Sequence, residues 1–197
     1  RLLYEGFNVP WPKEEGKTDV EALRKHASGF RTGAKPTPPA KIFAAAKFAP
    51  TGIRALPQVA YVPTKMSVWG NNQYGDCVSA EEAFNQAACG TFIEESTVIA
   101  WARKHGFLNG ADLLEVMVAM NKNGMVEGGK TYGVGVSPHT VNFSSPADLQ
   151  AALSIAPVKL GLDANALPST AGNKQGWYKF GGRPHQYDRE DHSTALC

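Results

Sequence analysis

Apolar positions recur at helical spacing in four stretches of this chain and alternate as in a strand in three others. After Asp76, residues Val78, Ala80, Phe84, Ala87 and Ala88 fall mostly on one side of a helix. Asp76 is its expected N-cap and Gly90 the left-handed residue that ends it. A second helix is expected from a Ser96 cap, carrying Val98, Ile99, Trp101 and Ala102 and stopping at Gly106. A third runs from about 111 to 123, with Leu113, Leu114, Met117 and Met120 as its buried stripe. Ser145-Pro146-Ala147-Asp148 places a cap, a first-turn proline and an acid in the order a helix start requires, so a short fourth helix should end near Ser154. Pro157 to Asp163 alternates as a strand with one buried face, and His192 to Leu196 begins another. Leu56 to Val62 is also strand-like, with Pro57 and Pro63 suiting an edge. Helices come first and strands later, which predicts an α+β class in place of a repeating βαβ design.

Residues 1–55 differ in character. Asp19 to Lys25 has the makings of a short helix, Lys35-Pro36-Thr37-Pro38-Pro39 favours an extended strap, and an Ala-rich stretch from Ile42 to Phe48 follows. This region is expected to be an N-terminal arm or pro-segment on a domain spanning 56–197. Twenty glycines and thirteen prolines fit a loop-rich mixture of elements. A net charge of +2 with no basic run gives nucleic acid little to bind, and no apolar run approaches the ~20 residues a membrane span needs. The cellular compartment stays open.

The chemistry centres on Cys77. A thiol at a helix start sits among unpaired N–H groups and at the positive end of the macrodipole, which favours thiolate. His192, opening the last strand, is the candidate proton acceptor, and together they suggest a cysteine nucleophile with its base. Cys89 is expected to fill core space on the Cys77 helix, with a Cys89–Cys197 bridge left open. No Cys/His cluster has zinc spacing, so neither metal nor cofactor is expected. Glu81-Glu82 and Glu94-Glu95 are expected on solvated faces. The Thr131-Tyr132-Gly133-Val134-Gly135-Val136 stretch lacks the strand-to-helix setting of a phosphate loop and reads as a cleft loop. His26 and His105 suit helix ends, His139 a turn, and His185 a loop near His192. Trp177, Tyr178 and Phe180 are expected in the core or a cleft wall.

Four segments in order carry a resemblance. Leu56-Pro57, Asn72-Gln73-Tyr74-Gly75-Asp76-Cys77, the pair Pro146–Leu153 and Ala156–Leu162, and Asp191-His192-Ser193-Thr194-Ala195-Leu196 together resemble the papain-like cysteine peptidases. The resemblance implies a two-lobe fold: a helical left lobe built on the cysteine-bearing helix, and an antiparallel β right lobe. It also implies Cys77 as nucleophile, His192 as general acid/base, and Gln73 with the Cys77 N–H as oxyanion donors. A peptide or protein would be the substrate.

This chain departs from the family pattern in several places. The family's Gln lies six residues before the nucleophile; Gln73 lies four before it, and Asn71 holds the six-residue spacing. Val78 replaces the usual Trp, and Asp76 puts a carboxylate beside the thiol, which raises a thiol pKa unless capping engages it. The family's third residue, an Asn or Asp after the histidine strand, is expected beyond Cys197 or is dispensed with. The sequence therefore supports a thiol hydrolase, a peptidase or amidase. The alternative is an inactive papain-like structural or binding component whose N-terminal arm wraps a neighbouring subunit. An acyltransferase or transglutaminase-like enzyme would use the same pair.

Overall fold

Helix α2 (Cys77–Ala88) is the element on which the others converge, and Cys77 through Glu82 are all buried along its first half. The computed structural model describes residues 33–49, 63–142, 144–162 and 192–196. Ahead of α2 come β1 (Ala34–Lys35), α1 (Pro39–Ala44) and β2 (Ala46–Lys47). After it come α3 (Glu95–His105), β3 (Ala111–Asp112), α4 (Leu113–Asn123), β4 (Met125–Glu127), β5 (Lys130–Tyr132), β6 (His139–Thr140), α5 (Pro146–Leu153), β7 (Val158–Leu162) and β8 (His192–Leu196). Mixed helix and antiparallel strand make the class α+β. Among the described residues no helix is long and apolar enough to cross a membrane.

The core lies between α2, α3 and α4. Ile93, Val98, Val116 and Met125 are fully enclosed, each contributing on the order of 1.5–3 kcal/mol by leaving water. Trp69 closes one side, donating its Nε1–H to the Ile93 carbonyl at 2.8 Å. The buried stripe of α4 is Val116 and Met120, with Leu113 packed beside them; Leu114 and Met117 are only half-buried. The helix begins two residues later than expected, at Leu113, where Asp112 accepts the Glu115 N–H at 2.7 Å.

The other boundaries follow their capping chemistry. Gly106 takes φ +79° and ends α3, whose cap position is Glu94, with Ser96 already inside the first turn. The Ser145 hydroxyl accepts the Asp148 N–H at 3.2 Å and Pro146 opens α5, as the spacing predicts. Asp76 holds the cap position of α2 through its backbone only, and its side chain makes no capping bond. Cys89 is exposed past the end of α2, where Gly90 and Thr91 N–H groups already close the helix, so it is not a core filler. Residues 130–132 pair with 125–127 as a hairpin, and 133–137 form the loop beyond it.

Part of the arm is docked on its own chain. β1 runs parallel to β3, β2 runs parallel to β6, and Lys41 forms an ion pair with Asp112 at 2.8 Å. Pro39 opens α1, so the proline strap turns into a helix after Pro38. The expected Asp19–Lys25 helix and Leu56–Val62 strand, and Trp177, Tyr178, Phe180, His26, His185 and Cys197, lie outside the described residues.

Candidate active site

Cys77 enters α2 from a tightly tied loop. Asn71 N–H reaches the Val68 carbonyl, Gln73 and Tyr74 N–H both reach Gly70, and Gly75 N–H reaches Leu108 at 2.9 Å. Trp69 and Gly70 carry φ of +46° and +91°, so the chain turns sharply just before this loop. Gly75 is bridged to Asn109 and crowds Gly33 so closely that a Cβ at position 33 would overlap the Gly75 carbonyl. Gly110 is also tight, since a Cβ there would lie 2.6 Å from the Gly33 oxygen. Two glycines thus allow β1 to be laid between the Cys77 loop and β3.

The thiol itself is 2 % exposed. Burial pushes its pKa up, while hydrogen bonds from the backbone at Ser193, Gly33 and Ala34 pull the other way. The Asp76 carboxylate adds a smaller upward push. Three segments distant in sequence therefore meet at one sulfur: the arm, the start of α2, and the first turn of β8. Ser193 is the second residue of β8, so His192 is adjacent in the chain to a group that hydrogen-bonds the thiol. Antiparallel pairing to β7 sets His192 opposite Leu162 and Ser193 opposite Gly161.

The predicted amide donor is placed differently. Gln73 is exposed in the turn, whereas Asn71, at the six-residue spacing, is buried with its Oδ1 unpartnered among the described residues. Asp76 is 1 % exposed, and neither carboxylate oxygen has a described partner. Burial, with a smaller contribution from Glu95, lifts it to about 7. This neighbour of the thiol is consequently half-neutral near pH 7.

One cluster beside the thiol runs against expectation. Glu81 and Glu82 are not on a solvated face: they are buried and bind Lys159 of β7 at 2.9 and 2.8 Å. The Lys159 ammonium also donates to the Val78 carbonyl at 3.0 Å, which uses all three of its N–H bonds. Ser193 Oγ donates to Glu81 Oε2 at 2.8 Å. The correction has a physical reason. Residue 81 is four after Cys77, so the helical repeat puts it on the same face, where β7 and β8 cover it. A lysine in an otherwise apolar strand, Val158-Lys159-Leu160, was the available signal. Glu94 and Glu95 do lie nearer the surface, bonded to Lys65 and Ser67.

Among the described residues, the two histidines outside the pair serve local structure. His105 Nδ1–H donates to the Trp101 carbonyl, and its ring stacks against Phe107 at the C-terminal end of α3, while His139 lies in β6. Among the described residues no group of three His, Cys, Asp or Glu could hold a metal ion. No protein-family model, curated protein or solved structure matches this chain.

Proposed function

We propose that the chain is a papain-like thiol hydrolase, a peptidase or amidase, that acts through Cys77 and His192. The observation that carries the reading is that β8, which opens with His192, lies against the first half of α2, which opens with Cys77, the Ser193 hydroxyl donating to Glu81 Oε2 at 2.8 Å. In the reaction the Cys77 thiolate attacks the carbonyl carbon of a peptide or amide, and the C–S bond forms as the oxygen takes up charge. The Cys77 N–H at the helix start faces that charge. A proton from the His192 imidazolium goes to the leaving nitrogen as the C–N bond breaks, leaving a thioester. Water, deprotonated by the same imidazole, then attacks the thioester and releases the acid and the thiol. Gln73 or Asn71 supplies the side-chain amide donor.

The arm holds this pair latent. Gly33 packs on the Gly75 carbonyl, β1 pairs with β3, and Cys77 is 2 % exposed, so the docked arm covers the thiol. The second reading, a papain-like component that binds without turnover, draws on the raised thiol pKa and the exposed Gln73.

Iodoacetamide labelling of Cys77 across a pH series, read by peptide mass, separates the two. The hydrolase reading expects labelling below pH 7 that is faster than a free thiol gives once the arm is loosened by Lys41→Ala, and that His192→Ala abolishes. Labelling no faster than a free thiol, and indifferent to His192→Ala, sinks it. Gly33→Ala makes a separate prediction. Forcing a Cβ into the Gly75 carbonyl is overpacking of the kind that costs about 1–3 kcal/mol, which would raise the Cys77 labelling rate about ten- to a hundredfold. An unchanged rate would show that β1 does not guard the thiol.

A further inference from the structure

We propose that Ser193 is a positioning residue for the Cys77–His192 pair, its hydroxyl locking strand β8 onto the Glu81–Lys159–Glu82 cluster of α2 and β7. The inference deepens the hydrolase reading and rests on it. Ser193 is 4 % exposed and joins two things at once. Its backbone lies beside the Cys77 thiol, and its Oγ donates to Glu81 Oε2, one helical turn further along the same face. Glu81 is in turn held by Lys159 and, through Oε1, by the Asn85 side-chain amide at 3.2 Å. Lys159 is held by Glu82 and by the Val78 carbonyl in the first turn of α2. The groups facing Glu81 are therefore Glu82 and Asn85 from its own helix, Lys159 from β7 and Ser193 from β8.

Such a lock answers a specific weakness of the strand pair. Gly161 stands opposite Ser193 and offers no side chain to key the register at that point. A slip of β8 by one residue would move position 192 by about 3.3 Å and turn it to the other face. A misplacement of about 1 Å is already enough to cost on the order of a hundredfold in a proton-transfer site. Apolar packing is non-directional, whereas a chain of charge-assisted hydrogen bonds has one satisfied arrangement. The hydroxyl at position 193 is the only link in that chain that belongs to β8 among the described residues.

The test uses the full chain with Lys41→Ala to loosen the arm, and with Cys89→Ser and Cys197→Ser so that iodoacetamide reports Cys77 alone. Labelling rates from pH 5 to 9 are compared for this parent, His192→Ala, Ser193→Ala and Ser193→Thr. The parent is expected to retain reactivity below pH 7 that His192→Ala removes. Ser193→Ala should lower that acidic limb about tenfold without an equal loss above pH 9, and Ser193→Thr, which keeps a hydroxyl, should restore it. Glu81→Gln and Glu81→Met repeat the test from the other partner: the amide oxygen keeps the limb, the thioether loses it. These variants decide the matter even where Ser193→Ala fails to fold. If Ser193→Ala and Glu81→Met match the parent while His192→Ala does not, the positioning role is wrong and the hydrolase reading stands. If His192→Ala also matches the parent, the hydrolase reading itself fails and takes the positioning role with it.

Discussion

Asp76→Asn is expected to stabilise the protein at pH 8 by roughly 2–4 kcal/mol, and to flatten part of the fall in stability between about pH 4 and 7. The carboxyl is 1 % exposed and without a described partner, and burial raises it from 3.8 to about 7. One pH unit of displacement corresponds to about 1.4 kcal/mol, so holding this group ionised in place costs on the order of 4 kcal/mol, less where water reaches it. The direction follows from proton linkage. An acid whose folded pKa lies above its unfolded one binds more protons in the native state, so its favourable contribution is complete below about 3.8 and is lost as pH rises to about 7. Glu81, raised by burial to about 7, adds to the same slope. The difference between parent and Asp76→Asn isolates residue 76. Urea unfolding at pH 5 and pH 8 measures it, and a variant no more stable than the parent at pH 8 would refute the account. Removing the charge beside Cys77 should also lower the thiol pKa slightly, since the Asp76 carboxylate raises it less than burial does.

Lys159→Met should be the most damaging single change in the described structure. Its ammonium is 3 % exposed and neutralises Glu81 and Glu82 at 2.9 and 2.8 Å. Burial alone would lower its pKa, but the two carboxylates together outweigh that and hold it raised. Losing the cation strands two buried carboxylates, a change worth about 3–5 kcal/mol in comparable pairs. Against a typical total of about 5–15 kcal/mol, the variant should melt far below the parent at pH 8. Its deficit should shrink at pH 5, where the carboxylates take up protons. Combining Lys159→Met with Glu81→Gln and Glu82→Gln removes all three charges and keeps an acceptor for Ser193. That triple variant should recover most of the loss, because what harms the single variant is uncompensated charge, not the missing pair. A single variant that melts with the parent at pH 8 would mean that water reaches the cluster.

Both effects come from charged side chains where the sequence pattern leads one to expect solvated ones. Asp76 reads as an N-cap because Asp is a favoured residue before an apolar run. It occupies that position, but its carboxyl turns toward Gly70 and Ile99, since a Cβ on Gly70 would lie 3.1 Å from Asp76 Oδ2 and within contact of Ile99. Glu81 and Glu82 read as a solvated pair because two adjacent acids break the apolar stripe. Their burial depends on β7 and β8, which arrive from 76 or more residues away in the chain. Local signals served better where the physics is local. Ser145-Pro146-Asp148 started α5, Gly106 ended α3, and the alternation of Val158–Leu162 produced a strand.

The resemblance to papain-like peptidases guided attention to Cys77 and His192 from four short segments, and it stays a proposal about fold lobes and function. What the amino-acid sequence determined by itself is the four helices between 77 and 153, the strands at 158–162 and 192–196, and the place of Cys77 at a helix start. Capping chemistry, glycine turns and periodicity act over a few residues, so they are legible in order along the chain. Only the tertiary structure decided that residues 33–35 lie against that thiol, that the Ser193 backbone reaches it, and that Lys159 neutralises two buried glutamates beside it. Those outcomes depend on long-range packing and on the balance between desolvation and pairing, and no window of sequence contains both partners.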